Sequence, residues 1–351
     1  MIDTAMDMAV ALLRLLPAET AHTLTVELSA DFAPLVPRAK RDDPRLAVEA
    51  LGLKFSNPIG MAAGFDKNAR AYPAMFRLGF GFVEVGTLTP RPQPGNPRPR
   101  MVRLPEDGAI VNRMGFNNRG MDYAAERLAK RKGGGILGVN IGANKTSADR
   151  VGDYRLAYDK LAPLADYVAI NVSSPNTPDL RRLQEREELH RLLSALAEAR
   201  AVTPKPLLLK IAPDIDDAGL DDIAEETTAA GLDGLIVTNT TVAREGLNLN
   251  SPHAAEPGGL SGRPLFAPSN RVLAGMRTRL GRKPVLIGVG GISSGEDAYA
   301  KFRAGADLVQ VYTALVFQGI GLLGRIKRDL LSCLERDGIA SISEATGKDA
   351  G

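Results

Sequence analysis

The sequence predicts a closed (β/α)8 barrel, an α/β TIM barrel with an N-terminal helical extension. Three features point there. Eight short apolar runs rich in β-branched residues recur after residue 55. Helix-like stretches separate them, and apolar strands alternating with helices indicate a parallel sheet covered on both faces. Each run ends in a polar or glycine cluster, as in barrels that carry their chemistry at the C-terminal ends of the strands. An open doubly wound sheet is the competing architecture.

The elements follow in chain order. Residues 5–16 read as a helix that is apolar nearly all round, because Asp3, Asp7 and Arg14 fall on one narrow stripe. Pro17 stops it. A second helix spans Glu19 to Phe32, closed by Pro34 and Pro37. These helices either pack on the main domain or lie on a membrane surface as a monotopic hairpin. No apolar run reaches the roughly 18 residues that span a bilayer, and the start lacks the basic region of a signal peptide. Leu46–Ala50 and Leu53–Phe55 form a hairpin around Gly52, placed to plug the N-terminal mouth of a barrel.

The eight runs are Ile59–Ala63, Phe82–Thr87, Ile136–Ile141, Tyr167–Val172, Leu207–Ile211, Gly234–Thr238, Val285–Val289 and Leu308–Val311. Helices are expected near 69–78, 119–132, 153–164, 184–200, 217–230, 268–280, 295–304 and 320–335. The proline-rich stretch 88–118 and residues 241–266 read as long functional loops after the second and sixth strands. The polar end beyond Asp337 reads as a loose tail. The expected division is N-terminal helices over 1–40, a barrel over 41–336 and a tail over 337–351.

Composition narrows the function classes. Hydrophobic residues make up 44% and charged residues 24% of 351, as in an ordinary globular protein. The net charge of +3 is too small to suggest nucleic acid as a partner. One cysteine, Cys333, excludes an internal disulfide framework and any multi-cysteine metal centre. His22, His190 and His253 lie far apart and show no metal-ligand spacing.

The strand ends hold Gly64 and Lys67; Thr87; Asn140; Asn171, Ser174 and Asn176; Lys210; Thr238, Asn239 and Thr240; Gly290 and Gly291; and Tyr312 and Thr313. This set is rich in hydrogen-bond donors and lacks the paired carboxylates of a glycoside hydrolase. It suits a large, polar, planar ligand. The segments VLIGVGGISSG (285–295), LVQVYTAL (308–315) and LSGRPL (260–265) bring glycines to the corner where this fold binds phosphate; read alone, they are equally tight turns. Gly133, Gly135 and Gly138 match G-x-G-x-x-G but precede a strand, so they fail the strand-to-helix context of a dinucleotide site.

Seven motifs then occur together: AAGFDK (62–67), NRMGFNN (112–118), NIGANK (140–145), INVSSPNT (170–177), VTNTT (237–241), GGLSGRPL (258–265) and GVGGI (288–292). Jointly they resemble the dihydroorotate dehydrogenases of the quinone-dependent class, over roughly residues 5–336. The resemblance implies FMN, oxidation of (S)-dihydroorotate to orotate in pyrimidine biosynthesis, and transfer of the electrons to a membrane quinone. It implies FMN contacts at Ala63, Gly64, Lys67, Thr87, Asn140, Asn171, Lys210, Thr238, Gly262, Gly291, Tyr312 and Thr313. Substrate contacts fall on Lys67, Asn112, Arg113, Met114, Gly115, Phe116, Asn171, Asn176, Asn239 and Thr240, and the catalytic base falls on Ser174. Soluble relatives with other acceptors use a cysteine base; Cys333, expected on the last helix, stands remote from the strand ends.

The same resemblance implies that residues 1–40 form a funnel for quinone against a lipid surface. His22, Arg103 and Tyr312 would line its inner end. A peripheral bacterial enzyme on the cytoplasmic side of the inner membrane follows. A flavin barrel acting on tRNA uridines would need a catalytic cysteine and a basic extension, neither of which is evident. A non-enzymatic phosphate-binding barrel gives no reason for Lys67, Ser174 and Lys210 to converge.

Overall fold

The computed structural model describes residues 12–244 and 249–350. Most of the first expected helix lies outside the described residues; Leu12 and Leu13 are helical. The chain then runs through α1 (Ala18–Asp31), β1 (Val48–Ala50), β2 (Leu53–Phe55), β3 (Ile59–Met61), α2 (Tyr72–Leu78), β4 (Phe82–Leu88), β5 (Met101–Leu104) and β6 (Ala109–Asn112). Next come α3 (Gly120–Leu128), β7 (Ile136–Ile141), α4 (Arg150–Leu161), β8 (Tyr167–Asn171), α5 (Arg186–Val202), β9 (Leu207–Ile211), α6 (Asp217–Ala229) and β10 (Gly234–Val237). The last elements are β11 (Gly259–Gly262), α7 (Phe266–Leu280), β12 (Val285–Val289), α8 (Gly295–Arg303), β13 (Leu308–Val311), α9 (Thr313–Gln318) and α10 (Gly321–Asp337).

Eight strands close a parallel barrel in the order β3–β4–β7–β8–β9–β10–β12–β13, each laid beside the strand before it, as right-handed β/α units require. The expected architecture is the observed one. All seven residues of β4 and all five of β8 and β9 are buried, because helices cover the outside while side chains fill the inside. Local chemistry starts several helices: the side chains of Asp149, Asp216 and Ser294 cap α4, α6 and α8 by accepting from free N–H groups of the first turn.

A recurrent device binds the N-terminal face. Asp166, Asp233 and Asp307 each stand just before a strand and accept from the first N–H groups of a neighbouring one, at Leu137, Leu207 and Leu286. Each also pairs with an arginine, Arg131, Arg200 or Arg277. A carboxylate thus satisfies buried backbone donors while a cation offsets its charge. The β1–β2 hairpin caps this face as expected; Phe55 meets Phe82 edge-on at 5.4 Å between ring centroids.

Two expectations need correction. The long loops are partly ordered as sheet: β5 and β6, from 88–118, and β11, from 241–266, form a three-stranded antiparallel sheet, which neither segment can build alone. The polar end is docked, not loose. Ile342 and Ala345 are fully buried, Thr346 donates to the Ala306 carbonyl, and Asp349 pairs with Arg303. A few apolar side chains in a polar run, Ile339 among them, anchor it together with these polar contacts.

Candidate active site

A cavity of about 340 Å³ opens at the C-terminal ends of the strands, roofed by the three-stranded sheet, within the usual range for small-ligand sites. Its wall contains Ala63, Gly64, Lys67, Thr87, Asn171, Lys210, Thr238, Gly262, Gly291, Tyr312 and Thr313 from the expected cofactor set. From the substrate set it contains Asn112, Met114, Gly115, Phe116, Asn176, Asn239 and Thr240, and Ser174 joins them.

Two expected residues stand outside the wall. Asn140 is fully buried beneath Thr87, whose hydroxyl donates to its Oδ1 at 2.6 Å. Arg113 turns away, bonded to Glu256 and to the Pro99 and Pro257 carbonyls. Only the backbone of Arg113 belongs to the loop that faces the cavity.

A hydrogen-bond chain from Glu84 to Asn239, and a separate Asn176–Asn112 pair, set the polar side chains. Asn140 donates to Glu84 at 2.8 Å, and Asn171 donates to the Thr87 hydroxyl at 2.8 Å. Asn239 donates to Asn171 Oδ1 and to Ser173 Oγ, and Asn176 donates to Asn112 Oδ1. Amides locked in this way present fixed donors and acceptors. Sequence reasoning missed the root of the network. Glu84 has no exposed surface and also accepts from Tyr167 and Gln310. Its signal was an acid in the middle of the apolar strand FVEVGT.

Two lysines supply positive charge. Lys210 is buried, faces the cavity and makes no hydrogen bond or ion pair among the described residues; burial lowers its pKa, and the Glu84 carboxylate works against that. Lys67 donates to the Gly64 carbonyl at 2.6 Å, and burial, with the nearby Arg100 charge, lowers it to about 8. Ser174 Oγ accepts from the Asn176 N–H at 3.3 Å, and the buried Thr177 hydroxyl has no partner among the described residues.

The cavity fits a flavin nucleotide on its own chemistry. Lys210 is a buried lysine lining it, with no carboxylate in contact among the described residues. At Gly262 a Cβ would sit 2.3 Å from the Gly108 carbonyl, and at Gly291 2.5 Å from the Phe266 backbone, so bare backbone lines the glycine corner.

A second cavity, of about 110 Å³, lies under α1. His22, Arg103 and Tyr312 line it with Ala21, Phe65 and Leu315. Tyr312, Met101 and Ile110 border both cavities. The Tyr312 hydroxyl meets His22 Nδ1 at 3.2 Å. Burial, with Lys67 adding to it, holds the His22 pKa well below the usual histidine value, so the ring is neutral at pH 7. Arg103 donates to the Arg14 and Leu16 carbonyls, and its buried Nε has no partner among the described residues.

Comparison with known proteins places this arrangement. Residues 45–334 match the family profile described as dihydroorotate dehydrogenase. A Bradyrhizobium diazoefficiens protein named dihydroorotate dehydrogenase (quinone) is 53% identical, over 98% of this chain and 95% of its own. A Rhodospirillum rubrum protein of the same name is 54% identical, over 95% and 92%. The crystal structure of DHODH from Eimeria tenella in complex with ferulenol is 42% identical with a TM-score of 0.89, over 94% of this chain and 95% of that one. Sequence motifs, barrel and cavity walls agree: the chain belongs to the dihydroorotate dehydrogenase family.

Proposed function

We propose that this protein oxidises (S)-dihydroorotate to orotate, using FMN as its redox cofactor and a membrane quinone as electron acceptor, in the de novo synthesis of UMP. The observation that carries the reading is the pair of abutting cavities. One holds Ser174 and two lysines; the other is more strongly apolar and lies under α1, and Tyr312 borders both. The oxidation removes a proton from C5 and a hydride from C6 of the substrate. FMN, when bound, accepts the hydride; the protein supplies position and charge.

Ala63, Gly64, Thr87, Thr238, Gly262, Gly291, Tyr312 and Thr313 would hold FMN, with Asn140 supporting Thr87 from below. Lys210 would stabilise the electron-rich cofactor. Lys67 would meet the substrate carboxylate, and Asn112, Asn171, Asn176 and Asn239, with Thr240, would match the polar edges of the ring. The 113–116 backbone would close over it. Ser174 takes the C5 proton. A hydroxyl is too weakly acidic to do this alone at pH 7, and the unpartnered Thr177 hydroxyl supports a relay through water.

The second cavity suits the ring of a quinone, with Arg103 Nε and His22 as its polar contacts. No helix among the described residues is long and apolar enough to cross a membrane. Leu12, Leu15, Leu24, Leu28, Phe32 and Leu35 are nonetheless exposed, which supports peripheral attachment of residues 1–40 to a lipid surface; the proposed site is the cytoplasmic side of the inner membrane. An absorbance spectrum of the pure protein tests the cofactor, and anaerobic bleaching by dihydroorotate tests the substrate. A colourless protein, or a flavin that dihydroorotate leaves oxidised, overturns the reading.

A further inference from the structure

Behind the glycine corner sits a buried cation that the chemistry above does not use. Lys301, on α8, has no exposed surface. Its stem lies along β12, where a Cβ on Gly288 would come within 3.1 Å of the lysine Cδ. Its ammonium reaches the first turn of α7, donating to Ser269 Oγ at 2.8 Å and to Asn270 Oδ1 at 2.7 Å, and lies 5.3 Å from the Phe266 ring centroid. Both acceptors are neutral. The charged group it feels is Asp297, one turn back on α8, whose carboxylate is bonded to the N–H and hydroxyl of Ser293. Burial lowers the ammonium to about 7. With no carboxylate in contact among the described residues, the charged form is costly to hold, and an anion bound nearby would favour it.

What Lys301 faces explains why it is there. The Ser269 hydroxyl accepts from Lys301, so its own proton is free for a carbonyl, at Phe266 (3.0 Å) or Gly290 (3.2 Å). Gly290 and Gly291 line the main cavity, with φ of 114° and 77°, and Gly291 rests on the backbone of Phe266. Two hydrogen bonds therefore separate the ammonium from the bare turn. The fifteen-residue α7 starts at the same corner, without a side-chain cap, and its dipole adds to the positive potential.

We propose that Lys301 is the buried counter-charge for the phosphate of the flavin nucleotide, and that it sets the preference for FMN over phosphate-free riboflavin. The proposal rests on the FMN reading above. Lys301 reaches the phosphate only through Ser269 and the turn, so it is a positioning residue and contributes charge from behind the wall. Its burial strengthens it, because water does not screen it.

The test uses the full chain with Lys301→Gln, which keeps a hydrogen-bond donor and removes the charge. Dissociation constants for FMN and riboflavin are read from flavin fluorescence. FMN should bind about 10-fold or more weakly, as expected for a lost unscreened charge, while riboflavin stays within about twofold. Equal weakening of both flavins, or no change in either, overturns the proposal. Failure of the unmutated chain to bind either flavin overturns the FMN reading instead. Should Lys301→Gln not accumulate folded, Ser269→Ala, which cuts the link to Gly290, is measured identically and judged by the same FMN-to-riboflavin ratio.

Discussion

Ser174 and Lys210 show how much a residue's surroundings decide. Ser174 is buried at the cavity wall with one backbone donor on its oxygen. Ser174→Ala should keep flavin and bind orotate, yet slow flavin reduction by dihydroorotate at least about 10²-fold, the usual worth of acid–base catalysis. The unmutated rate should rise with pH, as the proton leaves more readily, and the variant should lose that rise. Stopped-flow reduction at pH 7 and 9 reads both, and unchanged rates remove Ser174 from the chemistry. Lys210 has no charged partner in contact, so its charge is available to a ligand. Lys210→Ala should lower the flavin reduction potential or weaken flavin retention. Redox titration beside flavin content checks this, and an unchanged potential at full occupancy would place the lysine's effect elsewhere.

At the scale of elements, α1 is tied to the barrel at both ends, through Glu19 and through Asp31 with Arg70, and is flanked by exposed leucines. Glu19, in its first turn, accepts from Arg98 and from the buried Arg100, whose charges lower the Glu19 pKa against the opposing effect of burial. Arg103 holds the carbonyls just before the helix. Leu15 and Leu35 remain 82% and 76% exposed. Deleting residues 1–40 should therefore split the two half-reactions. Dihydroorotate should still bleach the flavin, because that chemistry draws on strand-end residues. Turnover with a long-tailed quinone should collapse while a small soluble acceptor still works. Normal quinone turnover by the truncated protein would rule out the funnel; if the truncation loses flavin, Arg103→Ala assayed with both acceptors decides instead.

For the molecule as a whole, the last residues belong to the fold. Ile342 is fully buried between the tail and the barrel, and leucine- or isoleucine-to-alanine changes in such places cost about 2–5 kcal/mol. Ile342→Ala should lower unfolding stability by that amount in denaturant titration while leaving dihydroorotate-dependent flavin reduction unchanged. A loss within about 0.5 kcal/mol, as at a surface site, would mean that the tail contributes nothing.

The sequence by itself determined the eight strands, with β7, β9, β12 and β13 placed to the residue, because each buried strand must be an unbroken apolar run between polar loops. It determined the barrel, and the cofactor and substrate residues it pointed to, all but Asn140 and Arg113, lie in the cavity wall, because strand ends converge wherever a barrel closes. Tertiary structure alone decided the rest. Two loops more than a hundred residues apart pair as β6 and β11, since each satisfies the other's backbone. Asn140 supports from below, and Arg113 faces outward, by rotamers that no spacing encodes. Glu84 and Lys301 read as ordinary charges in the chain; only folding strips their water and leaves each charge acting on a site it does not line.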